Sequence, residues 1–203
     1  MQHTIQRPAT ESGTFTIGGD LKVYRFGFGT MRLTGPGIWG PPADKQEALA
    51  VLHHALDLGM NLLDTADSYG PEVAESLIAE ALYPYPKDLV IATKGGLLRT
   101  GPNQWPQGGR PEHLRKALEG SLRRLRLDRI DIYQFHRPDP KVPFEDSVGA
   151  LAKMLGASVC WPFIRTSPQE TSFGRDDQAF WIGVERSGNE RLGHLWSVRI
   201  SGI

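Results

Sequence analysis

The chain holds a single cysteine, Cys160, so no intramolecular disulfide framework can staple it, and such a composition suits a reducing compartment. Net charge is also lacking: 23 basic residues balance 23 acidic ones. That balance removes the field that would draw the chain to nucleic acid or an anionic membrane. No apolar run is long enough to span a bilayer, and Met1–Pro8 has no apolar leader-like stretch. The absences leave a cytoplasmic protein as the expectation. Its 203 residues suffice for one domain with a sizeable core.

What is present is an alternation of short apolar runs and amphipathic stripes. Thr14–Ile17 and Leu21–Val23, separated by Gly18-Gly19-Asp20, read as a β-hairpin. A glycine-interrupted strand, Tyr24–Gly29, follows, and then a Gly- and Pro-rich loop from Thr34 to Pro42. Asp44 and Glu47 have capping-box spacing before a helix with Ala48, Leu49, Leu52, Ala55 and Leu56 on one face, and Gly59 stands where a C′ glycine belongs. The run continues as strand Leu62–Asp64, a helix around Glu72–Leu82, and strand Leu89–Thr93. After the loop Gly95–Gly109 come a helix opened by Pro111, strand Ile130–Phe135, and a helix from about Phe144 to Leu155. Strand–helix repeated four times predicts a parallel sheet with helical crossovers.

Ionisable residues gather at the ends of these strands. Asp64 closes Leu62–Asp64 and Tyr69 follows five positions later in a turn ended by Gly70; Lys94 follows Leu89–Thr93, and His136 follows Ile130–Phe135. In an α/β barrel the C-terminal strand ends are where catalytic residues converge. The four side chains fit carbonyl reduction by hydride, in which negative charge builds on oxygen and must be met by a proton. Tyr69 serves as the acid, Lys94 stabilises its phenolate, Asp64 holds Lys94, and His136 orients the carbonyl or relays the proton. No metal is needed. His53-His54 lacks further ligands at useful spacing and reads as a helix surface, and Arg123, Arg124 and Arg126 read as a solvated basic face. Gly18-Gly19 and Gly95-Gly96 read as turns rather than phosphate loops, and Cys160 as inert. A metal-dependent barrel hydrolase would need paired histidines at the first strand end, and Phe26-Gly27-Phe28-Gly29 has none.

The same residues resemble the motifs of the aldo-keto reductases. Gly27–Arg32 resembles that family's first-strand motif, Asp64–Gly70 its Asp/Tyr signature, and Ala92-Thr93-Lys94 its lysine strand. Ser121–Leu125 with Asp128–Tyr133 is similar to its helix-to-strand segment, and His136-Arg137-Pro138-Asp139-Pro140 resembles a bacterial branch. The resemblance runs from about residue 14 to 155. It implies an NADP(H)-dependent oxidoreductase that reduces aldehydes or ketones on a (β/α)8 TIM barrel. It also implies that Asp64, Tyr69, Lys94 and His136 are the catalytic set, that Gly29, Thr30 and Met31 border the cofactor, and that Asp64 lies near the nicotinamide ribose. The hairpin would plug the barrel bottom.

Past residue 155 the periodicity stops, so the expectation is an N-terminal half-barrel over 1–155 and a divergent, poorly packed or disordered tail over 156–203. A frame shift or truncation of a longer gene would give that pattern. A catalytically inactive fragment, or a non-catalytic binding protein on the same scaffold, is the alternative to the reductase.

Overall fold

A computed structural model describes residues 7–154 and the backbone of Val198–Ile200. The tail expected over 156–203 otherwise lies outside the described residues. The hairpin forms from β1 (Thr14–Ile17) and β2 (Leu21–Tyr24), paired from Thr14 opposite Tyr24 to Ile17 opposite Leu21. Gly18 and Gly19 take positive φ in its turn, where a side chain would be strained.

Four strands then pair in parallel in chain order: β3 (Phe28–Gly29), β4 (Leu62–Asp64), β5 (Val90–Gly95) and β6 (Ile130–Phe135). Helices α1 (Lys45–Asp57), α2 (Val73–Leu82) and α3 (Pro111–Leu125) make the crossovers, and α4 (Phe144–Met154) follows β6. This is the N-terminal half of a (β/α)8 barrel. Val198–Ile200 (β7) lies antiparallel on β6, with Tyr133 opposite Val198.

The helix boundaries follow local chemistry. Asp44 Oδ1 accepts the Glu47 N–H at 3.0 Å, and Gly59, at φ +91°, donates to Leu56 O at 2.9 Å and ends α1. Pro111 opens α3. Two boundaries differ from the sequence reading. The strand expected over Tyr24–Gly29 divides: Leu21–Tyr24 belongs to the hairpin and only Phe28–Gly29 joins the sheet. Gly27 explains part of this, since a Cβ there would sit 3.1 Å from Leu62 O, so the chain crosses β4 closely at that point. Meanwhile β5 extends through Lys94 to Gly95 instead of ending at Thr93.

Apolar side chains divide between the two faces of the sheet. Leu52, Leu63, Ile78 and Ile91 form one outer core under α1 and α2, and Leu114, Leu118, Phe135 and Leu151 another under α3 and α4. Ile17 and Val23 of the hairpin join Val90, Ala92 and Ile132 on the inner face, so the hairpin plugs the barrel bottom. Polar side chains are left for the opposite end of the strands.

Gly95 shows how tight the β5–α3 packing is. A Cβ there would overlap the Tyr133 hydroxyl and lie 3.2 Å from Ala117 Cβ. Gly95→Ala is expected to cost about 1–3 kcal/mol by overpacking, read as a lower urea midpoint at unchanged m-value.

Candidate active site

Backbone hydrogen bonds bring the strand ends to one level. Thr30 donates both its N–H (2.9 Å) and its hydroxyl (3.0 Å) to Asp64 O, Thr65 N–H reaches Ala92 O at 2.8 Å, and His136 N–H reaches Gly95 O at 2.9 Å. Side chains that leave β4, β5 and β6 at that level therefore meet.

Lys94 is their centre. Its side chain is 2 % exposed, yet its ammonium has three acceptors: Asp64 Oδ1 at 2.5 Å, Thr65 O at 2.9 Å and Tyr69 Oη at 3.1 Å. An ammonium has three hydrogens to donate, and all three are used. Burial of the cation is thus matched by a carboxylate and two oxygens. Tyr69 is itself buried, and its ring lies 4.9 Å from the same nitrogen. Asp64 keeps 33 % of its side chain exposed while paired.

The His136 ring meets Tyr69 edge-on, centroids 5.9 Å apart and planes at 82°. Burial, with the Lys94 and Arg137 charges adding to it, depresses its pKa to about 3. The imidazole is therefore neutral at physiological pH, able to donate one hydrogen bond but not to act as a charged acid. Ser68 Oγ stands 3.4 Å from His136 Nδ1. The structure thus brings together all four side chains expected from the strand ends.

Gly29, Thr30 and Met31 lie beside this group in different surroundings. Gly29 has nothing within 4 Å of a Cβ position, which leaves open space next to Asp64. Thr30 is buried, and Met31 packs against Ala66, Tyr69 and Ala74.

A second polar group, absent from the sequence reading, lies between α2, α3 and the sheet. Glu75, fully buried, accepts from Thr93 Oγ1 at 2.5 Å and from Arg124 Nε at 2.7 Å. Arg124 also reaches Glu72 Oε1 at 3.0 Å. The basic face expected at Arg123, Arg124 and Arg126 is corrected here: Arg124 is only 16 % exposed, because an acidic partner on α2 draws it inward. The exposed His53 and His54 sit where the sequence placed them.

Asp67 adjoins that group, and its Oδ1 is buried with no hydrogen-bond partner among the described residues. Burial first, then the Glu75 charge, pushes its carboxyl up to about 8 against the pull of Arg124. A carboxyl whose folded-state pKa is raised binds its proton more tightly when folded, so it supports the fold below the ordinary 3.8. That support is lost as pH rises from 3.8 towards 8. Asp67→Asn is expected to remove this decline and to exceed the parent by on the order of 2 kcal/mol above about pH 8, measured by urea unfolding across the range.

The chain matches the Aldo/keto reductase family over residues 25–156. It is 53 % identical over 146 residues to an uncharacterized oxidoreductase of Schizosaccharomyces pombe, covering 72 % of this chain and 47 % of that protein. To the pyridoxine 4-dehydrogenase of Escherichia coli it is 44 % identical over 146 residues, covering 71 % and 51 %. Among solved structures, a glycerol dehydrogenase from Gluconobacter oxydans superposes with a TM-score of 0.63 at 38 % identity, covering 70 % of this chain and 45 % of that one. The holo form of a Bacillus halodurans aldo-keto reductase superposes at 0.61 and 31 % identity, covering 71 % and 47 %. The chain spans about half the length of the curated relatives it matches. A match that takes in β3 through α4, and with them every strand end that delivers the Asp64–Tyr69–Lys94–His136 group, makes this chain a member of the aldo/keto reductase family.

Proposed function

We propose that this chain carries the reacting end of an NADP(H)-dependent carbonyl reductase, with Tyr69 as general acid. The observation that supports this is the Lys94 ammonium, held between Asp64 Oδ1 at 2.5 Å and Tyr69 Oη at 3.1 Å. A buried cation that donates to a phenol oxygen stabilises the phenolate and so eases proton release. His136, neutral at physiological pH, orients the carbonyl oxygen by a hydrogen bond and leaves the proton transfer to Tyr69.

When bound, the nicotinamide supplies the hydride. The residues here suit its reacting end: Gly29 leaves open space beside β4, and Asp64 offers a partly exposed carboxylate to a ribose hydroxyl. Thr30 and Met31 back that edge, the first bonded to Asp64 O and the second packed on the Tyr69 cluster. In barrels of this kind the phosphate site comes from loops after strands seven and eight, beyond the described residues. As the substrate carbonyl carbon gains a hydride, its oxygen takes the Tyr69 proton, and the product is an alcohol. Lys94 then balances the phenolate until solvent returns the proton.

Relatives named for pyridoxine and for glycerol favour a small alcohol–aldehyde pair as the substrate class. Residues 1–155 are assigned to the reductase unit and 156–203 to a tail, of which Val198–Ile200 lies on β6; a cytosolic setting agrees with the single Cys160. No described helix is long and apolar enough to cross a membrane.

The test is NADPH consumption by the full chain, with an aromatic and a short aliphatic aldehyde, next to NADPH titration by fluorescence. Turnover abolished by Tyr69→Phe supports the reductase. NADPH binding without turnover would mark a non-catalytic binding protein, and neither binding nor turnover an inactive half-barrel.

A further inference from the structure

Arg99, in the loop after β5, belongs neither to the fold core nor to the Asp64–Tyr69–Lys94–His136 group. Its guanidinium donates to four main-chain carbonyls: Gln104 O at 3.0 Å, Ser68 O at 2.8 Å, Gly37 O at 3.1 Å and Gly101 O at 3.3 Å. Those carbonyls belong to three separate strand-to-helix loops. The Arg99 Cζ lies 3.7 Å over the Trp105 ring and 5.4 Å from the Trp39 ring centroid, so Trp105 stacks on the cation and Trp39 stands within cation–π range. Asn103 N–H meets Gly37 O at 2.9 Å, and Gly40 N–H meets Gly70 O at 2.6 Å, which closes the loops on one another around this cation. Burial lowers the Arg99 pKa, as expected of a cation partly withdrawn from water.

One of the four bonds leads to the reacting group. Ser68 is 2 % exposed; its carbonyl is held by Arg99, its hydroxyl faces His136 Nδ1 at 3.4 Å, and the next residue is Tyr69. Trp105 also packs against the Ala66–Tyr69–Ala74 cluster. A shift of the Arg99 plane would therefore move Ser68, and with it both the Tyr69 phenol and the partner of the His136 ring.

We propose that Arg99 is a positioning residue for the Tyr69–His136 pair, its guanidinium stacked on Trp105, flanked by Trp39, and fastening three loops through main-chain carbonyls of which Ser68 O leads to the pair. This rests on the reductase reading for its kinetic consequence but not for its structural one. Lysine cannot replace it: an ammonium offers three donors, has no planar face to stack, and is more strongly hydrated. None of the four carbonyls belongs to Gly29, Thr30, Met31 or Asp64, so these bonds do not hold the cofactor edge directly.

The test uses the full chain with Arg99→Ala and Arg99→Lys, read by steady-state kinetics, NADPH titration and the NMR resonances of the His136 ring, assigned with His136→Gln. Displacing reacting groups by about 1 Å costs up to roughly 100-fold. Arg99→Ala is therefore expected to lose about 10–100-fold in kcat, with the NADPH Kd held within about twofold and the ring resonance shifted. Arg99→Lys, which keeps the charge and stem and so guards against a variant that fails to fold, is expected to regain less than about a third of the lost kcat. Parental kcat and an unmoved ring resonance in Arg99→Lys would overturn the proposal. A parent chain without turnover would sink the reductase reading alone, and the ring resonance of the two variants would then decide the clamp.

Discussion

Tyr69→Phe is expected to lower kcat/KM for aldehyde reduction by roughly 10²–10⁴-fold, the usual worth of a positioned general acid. The substitution removes one oxygen and keeps the ring. Tyr69 is 6 % exposed and packs with Ala66 and Ala74, so phenylalanine fills the same space and the fold is retained. Lys94 loses one of three acceptors but keeps Asp64 Oδ1 and Thr65 O, at a cost of about 1 kcal/mol. The loss should therefore fall on kcat, with NADPH affinity and unfolding midpoint close to those of the parent. Because His136 has its pKa depressed to about 3, it supplies no alternative acid at physiological pH. Single-turnover NADPH oxidation is the decisive measurement: a Tyr69→Phe chain that reacts within about threefold of the parent would show that the phenol is not the acid.

Glu75→Ala is expected to destabilise the chain by about 3–5 kcal/mol, the cost of breaking a buried ion pair from one side. Glu75 is fully buried and accepts from both Thr93 Oγ1 and Arg124 Nε. Its removal leaves Arg124, 16 % exposed, with the exposed Glu72 carboxylate as its one remaining ion-pair partner among the described residues. Thr93, also fully buried, loses its acceptor. The cost follows from the orphaned partners and not from the strength of the pair itself. A double variant, Glu75→Leu with Arg124→Met, should recover part of the loss, because it removes both charges and fills their volume. Urea unfolding of Glu75→Leu, Arg124→Met and their double closes the cycle; a double variant worse than the sum of the singles would contradict this account. The change matters because whole domains are stable by only about 5–15 kcal/mol.

Much of the half-barrel was legible in the sequence for local reasons. The α1 stripe of Ala48, Leu52 and Ala55 is buried as a 3.6-residue period requires. Asp44, Gly59 and Pro111 mark helix ends through bonds made within a few residues. The strand β3 was less legible, because its two residues carry almost no pattern and its limits depend on where Leu62 crosses Gly27.

The candidate site divides in the same way. Asp64, Lys94 and His136 could be picked out because each closes an apolar run, and Tyr69 because it follows Asp64 in a turn closed by Gly70; parallel strands carry their ends to one side. Their order along the chain thus determined that they would meet, as well as the acid–base chemistry open to them. Sequence could not determine that Arg99 stacks on Trp105 beside Trp39, that Ser68 spans Arg99 and His136, or that Arg124 turns inward to Glu75. Apart from the Arg99–Trp105 stack within one loop, those contacts join loops and helices dozens of residues apart, and no period or spacing encodes them. They arise because the parallel sheet aligns its loops over one end and packs α2 against α3, so that buried charges and half-buried indoles find partners only once the chain has folded.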